Sequence, residues 1–251
     1  MTTMTPDVRA EWVTFPSAGE EIRGYLARPA GVERPPAVIM AHENLGVTAH
    51  RQAVTELFGA AGFACLTVDL YSRIGGRPPQ DYTTADERRA KAFLAARDEQ
   101  AVPDLDAGLD YLAGRGDVDT ARAAAVGFCL GGGLVLAWAT MTDRLSCAVP
   151  LYGLPELPPS YSPTGATRSR IEIADQVRCP VQAHFGGADE VIPLEQVARL
   201  EEALKLSGEH VEVHVYEGAG HAYHDDTHPN HHPEAARQTW DRTMAFLKAH
   251  L

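Results

Sequence analysis

The sequence predicts an α/β protein: a mostly parallel central sheet with helices on both faces. Two observations carry this. Short, wholly apolar runs recur at Ala37 to Ala41, Ala64 to Val68, Ala123 to Gly127, Cys147 to Leu151 and Val181 to Phe185. Runs of this kind fit strands buried on both faces. Helical stretches separate most of them, and strand alternating with helix is the pattern of a parallel sheet. A length of 251 residues fits one domain spanning the whole chain, 1–251, with a sizeable core.

The elements are predicted as follows. Trp12 to Pro16 and Glu21 to Arg28 read as short antiparallel strands around a turn at Gly19. Pro35-Pro36 precede the first buried strand. A helix follows from Thr48 to Ala61, closed by Gly62, and then the strand Ala64 to Val68. Ala85 to Arg97 and Pro103 to Ala113 read as helices, the second closed by Gly114. After the strand ending at Gly127, Leu130 to Ala139 is an apolar helix. Val211 to Tyr216 is the last strand, and Pro193 to Leu206 and Pro233 to His250 are helices. Pro155 to Arg170 is rich in Pro, Ser and Thr and reads as a long surface loop.

The composition is 45% hydrophobic and 22% charged, as expected of a globular protein in water. No apolar stretch approaches the length of a membrane span. Met1 to Trp12 lacks the basic-then-apolar pattern of a signal peptide, so a cytoplasmic location is expected. The net charge of −12, with no run of Lys and Arg, argues against a nucleic-acid partner. It leaves open a small anion held by a local arginine. Of the cysteines, Cys65, Cys147 and Cys179 sit in or beside apolar strands and read as buried small hydrophobes. No CxxC pair suggests a zinc ribbon or a thioredoxin-like site. Cys129 differs because of its neighbours.

Gly127-Phe128-Cys129-Leu130-Gly131-Gly132 joins a buried strand to an apolar helix. This is the G-x-S-x-G nucleophile elbow of the α/β-hydrolase fold, with cysteine for serine. The glycines allow the chain to fold back sharply. The helix N-terminus aims free N–H groups and a positive dipole end at the sulfur, which favours thiolate. The backbone N–H of Leu130 is a candidate oxyanion donor. A Gly-rich strand-to-helix turn without chemistry is the bland alternative, and the rest of the constellation weighs against it.

In that fold the chain order is nucleophile, acid, histidine. Asp189 follows the strand ending at Phe185, through Gly186-Gly187-Ala188. His221 follows the strand ending at Tyr216, through Glu217-Gly218-Ala219-Gly220. Functional groups in such sheets lie beyond the carboxyl ends of strands, where both residues fall. His221 is the expected base for the thiol, and Asp189 the group that fixes its tautomer. A turn-forming aspartate and a surface histidine are cheap explanations singly, but not for three residues in order at three strand ends.

After the strand Ala37 to Ala41 comes His42-Glu43-Asn44-Leu45-Gly46, with the N–H of Asn44 as candidate second oxyanion donor. Together with Val68-Asp69-Leu70-Tyr71, the elbow, Tyr152-Gly153, Gly186-Gly187-Ala188-Asp189 and Gly220-His221-Ala222-Tyr223, it resembles the dienelactone hydrolase family over nearly the whole chain. The resemblance implies opening of an unsaturated lactone by Cys129, His221 and Asp189 through a thioester. It also implies Glu43 as the partner of the resting cysteine. No cofactor and no metal is implied. The partner is a small-molecule lactone or ester, and the protein is expected to be a monomer or small homo-oligomer.

The family's founding members hold a substrate carboxylate with arginines, one just after the catalytic histidine. Here Ala222-Tyr223-His224-Asp225-Asp226 stands in that place. Arg88 or Arg89 matches a second basic position, although an ordinary solvated helix face explains both. Tyr152 is a further candidate substrate contact. His221, His224, His228, His231 and His232 form a His-rich stretch whose spacing matches no fixed metal motif. The competing readings are a general carboxylesterase or amidase, a hydrolase fold reused for ligand binding, and a redox-sensing Cys129. The last needs a resolving cysteine that the sequence does not offer.

Overall fold

The computed structural model describes residues 7–158, 161 and 168–251. Most of the loop expected over Pro155 to Arg170 therefore lies outside the described residues. The chain opens with β1 (Val8–Ser17) and β2 (Glu20–Pro29), an antiparallel hairpin paired from Val8↔Pro29 to Ser17↔Glu20. Its turn residues Ala18 and Gly19 both have positive φ, 49° and 84°, the left-handed pair that a tight two-residue hairpin requires.

The remaining strands are β3 (Pro36–Ala41), β4 (Ala64–Val68), β5 (Asp119–Phe128), β6 (Cys147–Leu151), β7 (Val181–Gly186) and β8 (Val211–Tyr216). They form one eight-stranded sheet in the order β1-β2-β4-β3-β5-β6-β7-β8. β2 runs antiparallel to β4, and all later pairings are parallel. β4 and β6 are buried at every residue, as apolar runs in a doubly covered sheet must be.

The helices are α1 (Ala49–Ala60), α2 (Ala85–Ala95), α3 (Asp98–Arg115), α4 (Leu130–Met141), α5 (Leu194–Lys205) and α6 (Pro233–His250). Phe58 of α1 meets Trp240 of α6 edge to face at 5.2 Å. α3 packs on α4. Among the described residues no helix is long and apolar enough to cross a membrane.

Several boundaries differ from expectation: β1 begins at Val8 rather than Trp12, β5 at Asp119 rather than Ala123, and α3 runs through Gly114 to Arg115, with Gly116 as its cap. α3 begins at Asp98, five residues before Pro103, and carries the proline inside it. The reason is burial: Ala101 and Val102 join Leu105, Leu109 and Leu112 on one inward face. That face adds apolar contact before the proline, which offsets the missing N–H.

β3 connects to β4 on one side, while β5 lies on its other side. The strand order reverses there, which opens a crevice beyond the carboxyl ends of β3 and β5. The loop carrying Glu43 and the turn carrying Cys129 both leave from that crevice.

Candidate active site

Cys129 sits between β5 and α4 with φ 52° and ψ −113°. That is a costly conformation for a residue with a side chain, and such strain concentrates at functional turns. The neighbouring glycines explain how the turn closes. A Cβ on Gly127 would lie 2.1 Å from the Gly131 carbonyl oxygen, and one on Gly131 would lie 2.2 Å from the Ala41 carbonyl oxygen. The Cys129 N–H donates to the Leu151 carbonyl at 2.9 Å, tying the turn to β6. Gly131→Ala is expected to cost about 4 kcal/mol or more, because backbone rather than a flexible side chain must give way. A thermal midpoint lowered by about 10 °C in a melting curve would show it.

The loops after β7 and β8 are held together by the same device. A Cβ on Gly186 would come within 2.3 Å of the Ala219 carbonyl oxygen. The Ala188 N–H donates to that oxygen at 2.9 Å. The close approach brings Asp189 and His221 together: His221 Nδ1 lies 2.8 Å from Asp189 Oδ2. The Asp189 side chain has no exposure, and its other oxygen accepts the N–H groups of Val191 and Ile192 at 2.8 and 3.0 Å. The far ring nitrogen, His221 Nε2, lies 3.1 Å from the Cys129 sulfur.

Burial alone would lower the pKa of His221. The charge on the Cys129 sulfur and the hydrogen bonds His221 donates to Asp189 and Cys129 overcome it and raise the group to about 10. An imidazolium between a carboxylate and a sulfur is the arrangement of an ion-paired nucleophile. Among the described residues no acceptor takes the N–H of Leu130 or of Asn44. Asn44 lines the same cleft as Cys129.

That cleft has a volume of about 160 Å³, with Cys129 and His221 in its wall. Leu45, Phe93, Leu154 and Val191 make it partly apolar, and Glu43, Arg88, Arg89 and Asp225 supply charge. Beyond His221 it adjoins a wider cleft of about 470 Å³, lined by Arg89, His228, His231 and His232 among others.

The family model for the dienelactone hydrolase family matches residues 22–251. The chain belongs to the dienelactone hydrolase family. The "Putative carboxymethylenebutenolidase" of Yersinia pestis is 30% identical, the match covering 94% of this chain and 87% of that protein. The "Probable 2-oxo-3-(5-oxofuran-2-ylidene)propanoate lactonase" of a Bradyrhizobium species is 29% identical, with 98% and 97% covered. Among solved structures, a "Putative Dienelactone Hydrolase" from Klebsiella pneumoniae superposes with TM-score 0.88 at 28% identity, covering 96% of this chain and 99% of that one.

As a dienelactone hydrolase family member the chain departs from expectation at three places. Glu43 does not hydrogen-bond the cysteine. Its Oε2 pairs with Arg51, with Nε at 2.9 Å and a terminal nitrogen at 2.7 Å, and its Oε1 has no partner. Among the described residues the Cys129 sulfur bonds only His221. Tyr152 does not line the cleft. It is 1% exposed, at φ 37°, with its ring edge-on to His221 at 5.3 Å, so it backs the imidazole from beneath. Arg88 and Arg89 are not an ordinary solvated face: both line the cleft, together with Phe93 of the same helix, and Arg88 Nε is buried without a partner.

The His-rich stretch disperses. His224 is half-buried, and desolvation first, with the Arg51 and His50 charges, lowers it to about 3, so the ring is neutral. His228, His231 and His232 line the outer cleft. A different group forms where His50 meets Asp226 at 2.8 Å and Asp225 at 3.5 Å. Cys65, Cys147 and Cys179 are buried and free, as a packing role requires.

Sequence reasoning missed Arg51. One signal was available: it lies in the first turn of α1, where the helix dipole disfavours a cation. A cation there calls for a carboxylate elsewhere in the fold.

Proposed function

We propose that this protein hydrolyses a lactone or small carboxylic ester through a thioester on Cys129. The observation that carries the reading is the single imidazole bridging a buried carboxylate at 2.8 Å and a sulfur at 3.1 Å. His221 holds or accepts the thiol proton, and the sulfur attacks the carbonyl carbon. The N–H groups of Leu130 and Asn44 serve the oxyanion. The tetrahedral species collapses with cleavage of the C–O bond, and His221 gives its proton to the leaving oxygen. From a lactone the alcohol stays tethered to the acyl group; from an open ester it departs. Water, losing a proton to His221, then cleaves the thioester and frees the acid. Asp189 keeps Nδ1 protonated and stabilises the cation throughout. The residues need no cofactor for these steps.

The names of the relatives point to a lactone with an attached carboxylate, and Arg88 and Arg89 are the groups in the cleft to bind one. Asp225 and the apolar Leu45, Phe93, Leu154 and Val191 line the same cleft, and they favour the second reading, a neutral ester. Hydrolysis of a dienelactone and of a short chromogenic acyl ester, measured side by side, tests the function. Turnover of neither would refute it. The Arg88→Ala, Arg89→Ala double variant is expected to raise KM for the carboxylate-bearing lactone about tenfold or more, as loss of a charged hydrogen bond should. KM for the neutral ester should stay within about twofold. Equal changes for both would favour the neutral-ester reading.

A further inference from the structure

The loop after β3 puts Glu43 in the wall of the cleft that holds the Cys129 sulfur. A carboxylate there disfavours a neighbouring thiolate. The opposing charge comes from α1. Arg51 is 1% exposed, and it holds Glu43 Oε2 through two nitrogens at 2.9 and 2.7 Å. Its guanidinium carbon lies 3.6 Å from the centre of the Phe128 ring, and Phe128 is the residue before Cys129. Arg51 therefore spans the loop after β3 and the end of β5, clamping the carboxylate of the first and stacking on Phe128 of the second.

The groups around this pair do not supply the charge instead. His224 packs against Phe128 with the rings tilted, centroids 5.4 Å apart, and burial with nearby cations keeps it neutral. Asp225 remains a carboxylate: burial opposes this, but the Thr227 donors and the His50 and Arg51 charges hold its pKa low. Tyr71 and Tyr152 are phenols pushed upward by burial. His221 and Asp189 are already paired to each other, and Arg88 lines the same cleft.

We propose that Arg51 is a positioning residue for the nucleophile: it holds Glu43 as a neutralised pair turned away from Cys129, so the resting sulfur stays bonded to His221. Without the guanidinium, Glu43 is an unpaired buried carboxylate, a costly state relieved by taking a hydrogen bond or a proton. Glu43 Oε1 has no partner and shares the cleft wall with Cys129. The thiol would then donate to Glu43, and the sulfur would lose thiolate character.

The proposal rests on Cys129 being a reactive thiol and needs no ester substrate. Its test is the rate at which iodoacetamide alkylates the protein at pH 7, followed by intact mass: sulfur displaces iodide to form a thioether. Cys65, Cys147 and Cys179 are buried, so the first alkyl group reports Cys129. Arg51→Met keeps an unbranched side chain over Phe128. It is expected to slow alkylation about tenfold, the equivalent of one unit in a thiol titration. Adding Glu43→Gln to Arg51→Met is expected to restore the rate to within about twofold, because the repelling charge is gone. A merely structural role for Arg51 would not be rescued by removing its partner.

Glu43→Gln alone is expected to react at least as fast as wild type, and it decides the matter if circular dichroism shows Arg51→Met unfolded. Wild-type rates in Arg51→Met, no rescue in the double variant, or slowed alkylation in Glu43→Gln would each overturn the proposal. If the protein hydrolyses no ester, these rates still read out the pair, so the two failures are distinct.

Discussion

Cys129→Ala is expected to lower kcat/KM for any ester or lactone substrate by about 10⁴ or more, the scale lost when a covalent nucleophile is removed. The substitution itself is small. The side chain loses one atom from a turn whose closure depends on Gly127 and Gly131, so the fold should survive. The loss must therefore come from chemistry. Removing the sulfur also removes the charge that holds His221 near 10, so the imidazole of the variant should titrate lower. Steady-state hydrolysis beside an NMR titration of His221 reads both. A variant with wild-type rates would sink the proposed mechanism, whatever substrate is used.

Asp189→Asn is expected to cut kcat by about 10³ to 10⁴ with little change in KM. The direction follows from the two N–H donors on Asp189 Oδ1. They require an acceptor, so the asparagine carbonyl must sit there. Its NH₂ group then faces His221 Nδ1, where Oδ2 now accepts at 2.8 Å. Nδ1 becomes an acceptor, and in the neutral ring the proton moves to Nε2, the nitrogen that faces the sulfur at 3.1 Å. That imidazole can no longer take the thiol proton. Steady-state kinetics with circular dichroism as a fold control measures this. A loss under tenfold would mean that His221 does not depend on Asp189 for its tautomer.

The parts of the site legible in the sequence share a property. Cys129 and Asp189 follow buried strands and His221 follows the partly exposed edge strand β8, each within a glycine-marked turn. The strand run, the glycines and the functional residue all lie within about ten residues, so local sterics reveal them. The sheet converts three local features into one site because parallel strands place all their carboxyl ends on one edge. The order of elements was legible for the same reason. The start of α3 was not, because a proline-based rule cannot weigh the inward face that Ala101 and Val102 add.

What the sequence determined by itself is thus the sheet, the strand-to-helix turn at Cys129 and the chain order of Cys129, Asp189 and His221, the proposed nucleophile, acid and base, together with the resemblance that names the family. What the tertiary structure decided is which charges meet. Glu43 and Arg51 are close in sequence, yet their bond depends on α1 packing back over the crevice beside Phe128. Arg88 and Arg89 belong to the cleft because α2 turns Arg88, Arg89 and Phe93 into its wall, and Tyr152 leaves it because its backbone turns at φ 37° and buries the ring. Backbone turns are governed by sterics over a few residues and leave a mark in the residue types. A charge pair is governed by distance through space and by burial, and neither exists until the helices have docked.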